Sequence, residues 1–211
     1  MTSTIDDQAI VYIVDDDEAV RDSLRWLLEA NGFRVQVYQS AEEFLANLRA
    51  DRNERPGCLL LDVRMPGMSG LQLHDELLKR GSTLPLIFIT GHGDVNMAVS
   101  SMKKGAADFL EKPFNDEELC AIVRLNLDRA IAAHEASHAE RDAIGRIEKL
   151  TGRERQVLDL IVAGRLNKQI ADDLDISIKT VEAHRANIMT KLGARTMADL
   201  MRIALKAAGS A

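Results

Sequence analysis

Long apolar runs are missing from this sequence of 211 residues. Stretches such as residues 58–61 and 84–89 fall far below the ~18 residues that a membrane span needs, so no membrane partner is expected. The N-terminus from Thr2 to Gln8 is polar and acidic, unlike a secretory signal, and a cytoplasmic protein is expected. Cysteine is scarce. Cys58 and Cys120 cannot build a disulfide framework, and each sits in an apolar run, which reads as a reduced core thiol rather than a catalytic one. Residues 128–150 lack proline and hold only Gly145 as glycine, so this connector is not a flexible coil. What remains is ordinary for a globular chain: 46% hydrophobic and 28% charged residues argue against disorder. The length allows one large domain or two small ones.

A net charge of -6 at first argues against a nucleic-acid partner. Its distribution argues otherwise. Residues 1–127 carry -8, residues 128–150 carry -1, and residues 151–211 carry +3. An asymmetry of this kind points to two jobs in one chain. The positive excess is modest, so weak non-specific DNA binding and a need for dimerisation are expected.

Strand-like runs at residues 10–14, 34–38, 58–61, 84–90 and 108–111 alternate with helical patterns. Most are continuously apolar, as strands buried on both faces are. Ser40 with Glu43 and Asn115 with Glu118 read as capping boxes, and Asp94 caps a helix running towards Lys104. Gly32, Gly81 and Gly105 fall where helices should stop. Five strands alternating with helices predict an α/β fold with a doubly wound parallel sheet, whose sites lie at the carboxyl ends of the strands.

A helix leaves this domain and extends well into the connector. His134 and His138, four apart, could share a metal, but without a fixed carboxylate or cysteine partner they read as a solvated or helix-pairing face. The remainder is all helical. Thr151 with Glu154 forms a capping box for a helix through Val162, which Gly164 ends. Asn167 caps a short helix to about Leu174, residues 175–177 turn, and Ser177 caps a helix that Gly193 closes. Thr196 opens a last helix to Ala207. Helix, tight turn, helix is the layout that places a second helix in a DNA groove.

Four strand ends of the first domain carry polar residues that an apolar sheet does not need. The first ends in Asp15, Asp16 and Asp17, the third in Asp62, the fourth in Thr90, and the fifth runs into Glu111, Lys112 and Pro113. In a parallel sheet these ends share one rim. Crowded carboxylates repel, and a hard divalent cation such as Mg²⁺ relieves them. A carboxylate beside such a cation, a hydroxyl and an ammonium is an arrangement for accepting a phosphoryl group. Read one at a time, Asp15–Asp17 could serve the dipole of a helix and Lys112 the surface. Four strand ends agreeing is harder to dismiss.

In the longest C-terminal helix, Val181, Ile188 and Leu192 form a core stripe of period 3.6. The opposite side presents Lys179, Glu182, Ala183, Ala186, Asn187 and Thr190, a small and polar face that can approach base edges. Asn167, Lys168, Thr180 and Lys191 lie nearer the flanks and suit phosphate contacts. Arg185 falls on the core side of the flank, where an internal salt bridge, with Glu154 as one partner, or a phosphate contact is expected.

Over about residues 8–127 the sequence resembles the receiver domain of two-component response regulators. The resemblance is carried by Val14-Asp15-Asp16, Leu61-Asp62-Val63-Arg64-Met65-Pro66, Thr90-Gly91 and Glu111-Lys112-Pro113-Phe114. It implies a flavodoxin-like five-stranded fold in which Asp62 is the phosphoacceptor. It further implies that Asp15, Asp16, Asp62 and the Arg64 carbonyl hold Mg²⁺. Lys112 is then the phosphate partner, Thr90 the switch hydroxyl and Phe109 the aromatic switch, with a cis Lys112–Pro113 bond. On phosphorylation Thr90 moves towards the new charge and vacates space that Phe109 fills. That reshapes the surface of the fourth helix, the fifth strand and the helix after it.

Over about residues 147–208 the sequence resembles the LuxR-type helix-turn-helix, through Leu150-Thr151, Arg153-Glu154, Gly164, Asn167-Lys168, Ile170-Ala171, Ile176-Ser177, Thr180-Val181-Glu182, His184-Arg185 and Lys191-Leu192. The combination is similar to the NarL/FixJ family, closest to its FixJ branch. It implies a receiver over residues 1–127, a helical linker over 128–146 and a four-helix DNA-binding domain over 147–211. It also implies a sensor histidine kinase as phosphodonor, double-stranded operator DNA as target, and a homodimer when phosphorylated. Leu200, Ile203, Ala204 and Ala207 would form the dimerisation face. The expected role is a transcriptional regulator, an activator in the family sense, and not an enzyme. A stand-alone phosphohydrolase would need a second acid near the nucleophile, where Val63 and Arg64 stand. A ligand-gated regulator or a constitutive nucleoid protein leaves the acidic rim unexplained.

Overall fold

The computed structural model describes residues 9–50, 55–91, 102 and 105–208. Five runs rich in Ile, Val, Leu and Phe pair as β1 (Ile10–Val14), β2 (Val35–Tyr38), β3 (Gly57–Asp62), β4 (Leu86–Thr90) and β5 (Asp108–Glu111). They form one sheet of order β2-β1-β3-β4-β5, with every neighbouring pair parallel. Because side chains alternate across a strand, the continuous apolar runs feed two separate cores. Tyr12, Val14, Leu59, Leu61 and Phe88 face one side. There they meet Phe44 of α2 (Ala41–Ala50) and Leu73 and Leu77 of α3 (Gly70–Lys79). Val11, Ile13, Leu60, Ile87 and Ile89 face the other. There they meet Leu24 and Leu28 of α1 (Glu18–Ala30) and Leu119 and Val123 of α4 (Asp116–Ile147). Asp94 and Lys104, the ends of another expected helix, lie outside the described residues. Both cysteines are free, and burial pushes the Cys58 thiol up to about 12, which makes it inert at neutral pH.

Helix α4 runs unbroken for 32 residues and so carries the chain out of the sheet domain as a helix. The chain divides between His134 and Glu135 into two compact units. The second unit holds α5 (Gly152–Val162), α6 (Asn167–Leu174), α7 (Ile178–Leu192) and α8 (Met197–Ala208) around Val157, Leu158, Ile170, Val181, Ile188 and Leu192. Its helix ends follow capping chemistry. Thr151 and Glu154 form the expected box, and Ser177 accepts the Thr180 N–H at 3.1 Å. One end differs from expectation: Leu166, not Asn167, is the cap residue of α6, because Gln169 reaches back to accept the Leu166 N–H at 2.9 Å. Asn167 is then the first helical residue. Between α6 and α7 the chain turns through Asp175 at φ 53°, a left-handed conformation that Asp tolerates. Among the described residues, no helix is long and apolar enough to cross a membrane.

Candidate functional site

Strand register assembles the rim. Val14 pairs with Leu61, so the next residues, Asp15 and Asp62, come level. Asp62 pairs with Ile89, and Thr90 pairs with Glu111, which brings Thr90 and Lys112 to the same edge. The Lys112 ammonium stands between two carboxylates, donating to Asp15 Oδ2 at 3.1 Å and to Asp62 Oδ1 at 3.2 Å. The other Asp62 oxygen accepts the Arg64 N–H at 2.7 Å. Asp15 is 3% exposed, and its Oδ1 accepts the Asp17 N–H at 2.9 Å. Asp17 itself is the N-cap of α1, accepting from Ala19 and Val20. The three consecutive acids therefore divide: Asp17 serves the helix, and Asp15 and exposed Asp16 remain for the rim.

Thr90 is buried at the end of β4, its hydroxyl 3.4 Å from the Gly91 carbonyl. Its own carbonyl accepts the Lys112 N–H at 2.7 Å, and the Lys112–Pro113 bond is cis. Phe109 is half-buried against the core under α2 and α3.

Burial raises the Asp62 pKa. The Lys112 charge opposes this rise and the Asp15 charge adds to it, leaving Asp62 above the usual carboxylate range. Burial works against the Lys112 ammonium too, but Asp15 and Asp62 together outweigh it and raise its pKa. Two carboxylates, Asp15 and Asp62, thus share one ammonium, with exposed Asp16 next to them in the chain. Among the described residues, no three acidic, His or Cys side chains converge at direct ligating spacing. Mg²⁺ keeps several waters and takes only one or two carboxylates directly. An all-oxygen set with excess negative charge fits that ion.

Two supports of the rim escaped the sequence reading. Gly70 opens α3 so close to the rim that a Cβ there would lie 2.1 Å from the Asp62 carbonyl oxygen. Glu42, from the first turn of α2, accepts the Met68 N–H at 3.0 Å and ties down the loop after β3. The Ser69–Gln72 capping box was a readable signal for where that loop ends.

In the second unit, Val181, Ile188 and Leu192 are fully buried, as their stripe predicts. Lys179, Thr180, Glu182, Ala183, Ala186, Asn187, Thr190 and Lys191 of α7 are exposed, with Lys168 exposed and Asn167 half-buried on α6. Some of these polar groups are already engaged. The Thr190 hydroxyl donates to the Ala186 carbonyl at 3.0 Å, and the Thr180 and Ser177 hydroxyls lie 2.8 Å apart. Lys191 is the main difference from expectation. Its ammonium donates to buried Glu154 at 2.7 Å, so Glu154 pairs with Lys191, while Arg185 approaches the Met197 sulfur at 4.0 Å.

The last helix also needs correction. Leu200 and Ala204, 1% and 8% exposed, pack into the core of their own domain, so they are not available as a dimerisation face. Ile203 and Ala207 are half-buried.

Glu154 is held down to about 2 by the Lys191 ammonium first and the Thr151 N–H second. A carboxyl lowered on folding stabilises the fold above its ordinary value of 4.5, and that stability is lost as pH falls from there to about 2. Glu154→Gln should cost the second unit about 2 kcal/mol at neutral pH. Urea unfolding at pH 7 and pH 3 checks this, since the gap between variant and wild type should shrink at the lower pH.

Residues 11–124 match the response regulator receiver domain family, and residues 148–204 match the luxR family of bacterial regulatory proteins. The transcriptional regulatory protein FixJ of Azorhizobium caulinodans is 50% identical over 198 residues, covering 93% of this chain and 92% of that protein. FixJ of Rhizobium meliloti is 49% identical over 195 residues, covering 92% and 94%. The solved structure of the response regulator StyR superposes with a TM-score of 0.84 at 42% identity, covering 94% of this chain and 99% of that one. With the acidic rim on one unit and a helix-turn-helix on the other, the chain belongs to the two-component response regulators that join a receiver domain to a LuxR-type DNA-binding domain, and it is FixJ-like.

Proposed function

We propose that Asp62 accepts a phosphoryl group from a sensor histidine kinase and that this event controls operator binding. The observation that carries the reading is the Lys112 ammonium held between Asp15 and Asp62 on the rim that also bears Thr90. The Asp62 carboxylate attacks phosphorus; an O–P bond forms, and the N–P bond breaks with its electron pair leaving on the kinase imidazole. Receiver domains generally bind Mg²⁺ at the phosphorylation site; held here by Asp15, Asp16, Asp62 and the Arg64 carbonyl, it would neutralise phosphoryl oxygens. Lys112 is already within reach of Asp62 and exchanges a carboxylate partner for a phosphoryl oxygen. The Thr90 hydroxyl leaves the Gly91 carbonyl to donate to the same group, and Phe109 turns into the vacated space.

A bias of a few kcal/mol is enough to turn over such a two-state population. The receiver, residues 1–127, then acts through the linker, 128–146, on the DNA-binding domain, 147–211. The phosphorylated protein dimerises, through α8 surface outside the core such as Ile203 and Ala207, and reads two half-sites. Lys179, Glu182, Ala183, Ala186 and Asn187 face bases; Asn167, Lys168 and Thr180 face phosphates, as does Lys191 where it can leave Glu154. The outcome is activated transcription in the cytoplasm. Nothing in the reading calls for turnover of a substrate.

Incubation with a small acyl phosphate and Mg²⁺ should add one phosphoryl group per chain, seen as an intact-mass shift. Chelation of divalent cations should prevent the addition. A chain that stays unmodified in Mg²⁺ would contradict the proposal.

A further inference from the structure

Arg21 sits in the first turns of α1, where a positive side chain opposes the helix dipole. Asp15, Asp16, Asp17, Glu18 and Asp22 surround it in sequence, yet among the described residues it forms no ion pair. Its guanidinium instead donates to the Asp15 main-chain carbonyl at 2.7 Å, in a partly buried setting. Asp15 is thereby fixed at four points: its N–H by the Tyr38 carbonyl at 3.4 Å, its carbonyl by Arg21, one carboxylate oxygen by the Asp17 N–H and the other by Lys112. Asp16 is the next residue, and its direction depends on that turn.

We infer that Arg21 is a positioning residue for the divalent-cation site: by holding the Asp15 carbonyl it fixes the turn that presents Asp15 and Asp16. The inference rests on the reading of the rim as a Mg²⁺ site. It makes a prediction of opposite sign to simple electrostatics. On charge alone, removing a cation from an acidic rim tightens the binding of another cation. If Arg21 holds the turn, removing it loosens binding, as loss of an outer partner of a metal ligand does.

Isothermal calorimetry of Mg²⁺ binding to the full chain separates the two. Arg21→Gln should weaken Mg²⁺ about tenfold. Its thermal unfolding without metal should stay close to that of the wild type. Unchanged or tighter binding overturns the inference. Arg21→Met, which keeps the packed stem, replaces the Gln variant if that one does not fold, and is read in the same way. A wild type that binds no Mg²⁺ overturns the cation-site reading itself, and the inference with it, whereas a binding wild type matched by its variant overturns the inference alone.

Discussion

Asp62→Asn should abolish phosphoryl incorporation and at the same time make the receiver more stable. The first effect follows from losing the attacking oxygen. The second follows from the raised pKa of Asp62: burial disfavours its charged form, and the Asp15 charge adds to the cost despite Lys112. A carboxyl raised on folding helps the fold below its unfolded pKa, and that help is lost as pH rises past it. At neutral pH the ionised group is therefore a burden, and neutral Asn relieves it. Melting curves at low salt and without divalent cations should show a rise of roughly a few degrees for Asp62→Asn. The gap should close as pH falls towards the carboxylate range. A lower melting temperature with phosphorylation lost would mean that Asp62 holds the fold and that the loss is indirect.

Gly70→Ala should be the most damaging glycine-to-alanine change among the described residues of the receiver. The added Cβ meets the Asp62 carbonyl oxygen at 2.1 Å and Leu61 Cγ at 3.1 Å, so strand β3 or helix α3 must move. Overpacking against backbone of this kind costs about 3 kcal/mol. Displacing Asp62 by as little as ~1 Å should slow phosphoryl acceptance by about a hundredfold. Gly145→Ala is the control, because it lies within α4 with nothing within 4 Å of the new Cβ. There the substitution should stabilise the helix by about 1 kcal/mol. Chemical denaturation and acyl-phosphate labelling of both variants check the contrast.

What was legible in the sequence follows from how each feature is encoded. The five strands are local: runs such as residues 58–61 are continuously apolar because both faces of a parallel sheet are covered, and they stop where polar rim residues begin. Thr151 with Glu154 and Ser177 with Thr180 are encoded within one helical turn and could be read directly. The Glu154–Lys191 pair spans 37 residues and depends on how α5 meets α7, which no helical wheel contains. The wheel put Arg185 on the core side of the flank, with Glu154 as one partner, and Lys191 among the phosphate contacts. The stripe on α8 shows a related limit, since amphipathic spacing says that Leu200 and Ala204 are buried but not by what. Here it is their own domain. Gly70, Glu42 and Arg21 act on backbone atoms of distant or neighbouring turns, so their residue types alone carry no mark of the role.

The total charge of -6 misleads for the same reason that a single motif would: it averages two units with different chemistry. The receiver dominates it at -8, in part through the acids gathered on its rim, while residues 151–211 keep an excess of +3.

The most direct test of the account is the affinity of the full chain for DNA selected from a random pool by the acyl-phosphate-treated protein, compared across three samples in Mg²⁺ at one salt concentration. Treated wild type should bind at least about tenfold more tightly than untreated wild type, a bias of about 1.4 kcal/mol. Treated Asp62→Asn should match the untreated protein. Equal affinity in all three samples would contradict control of DNA binding by phosphorylation at Asp62.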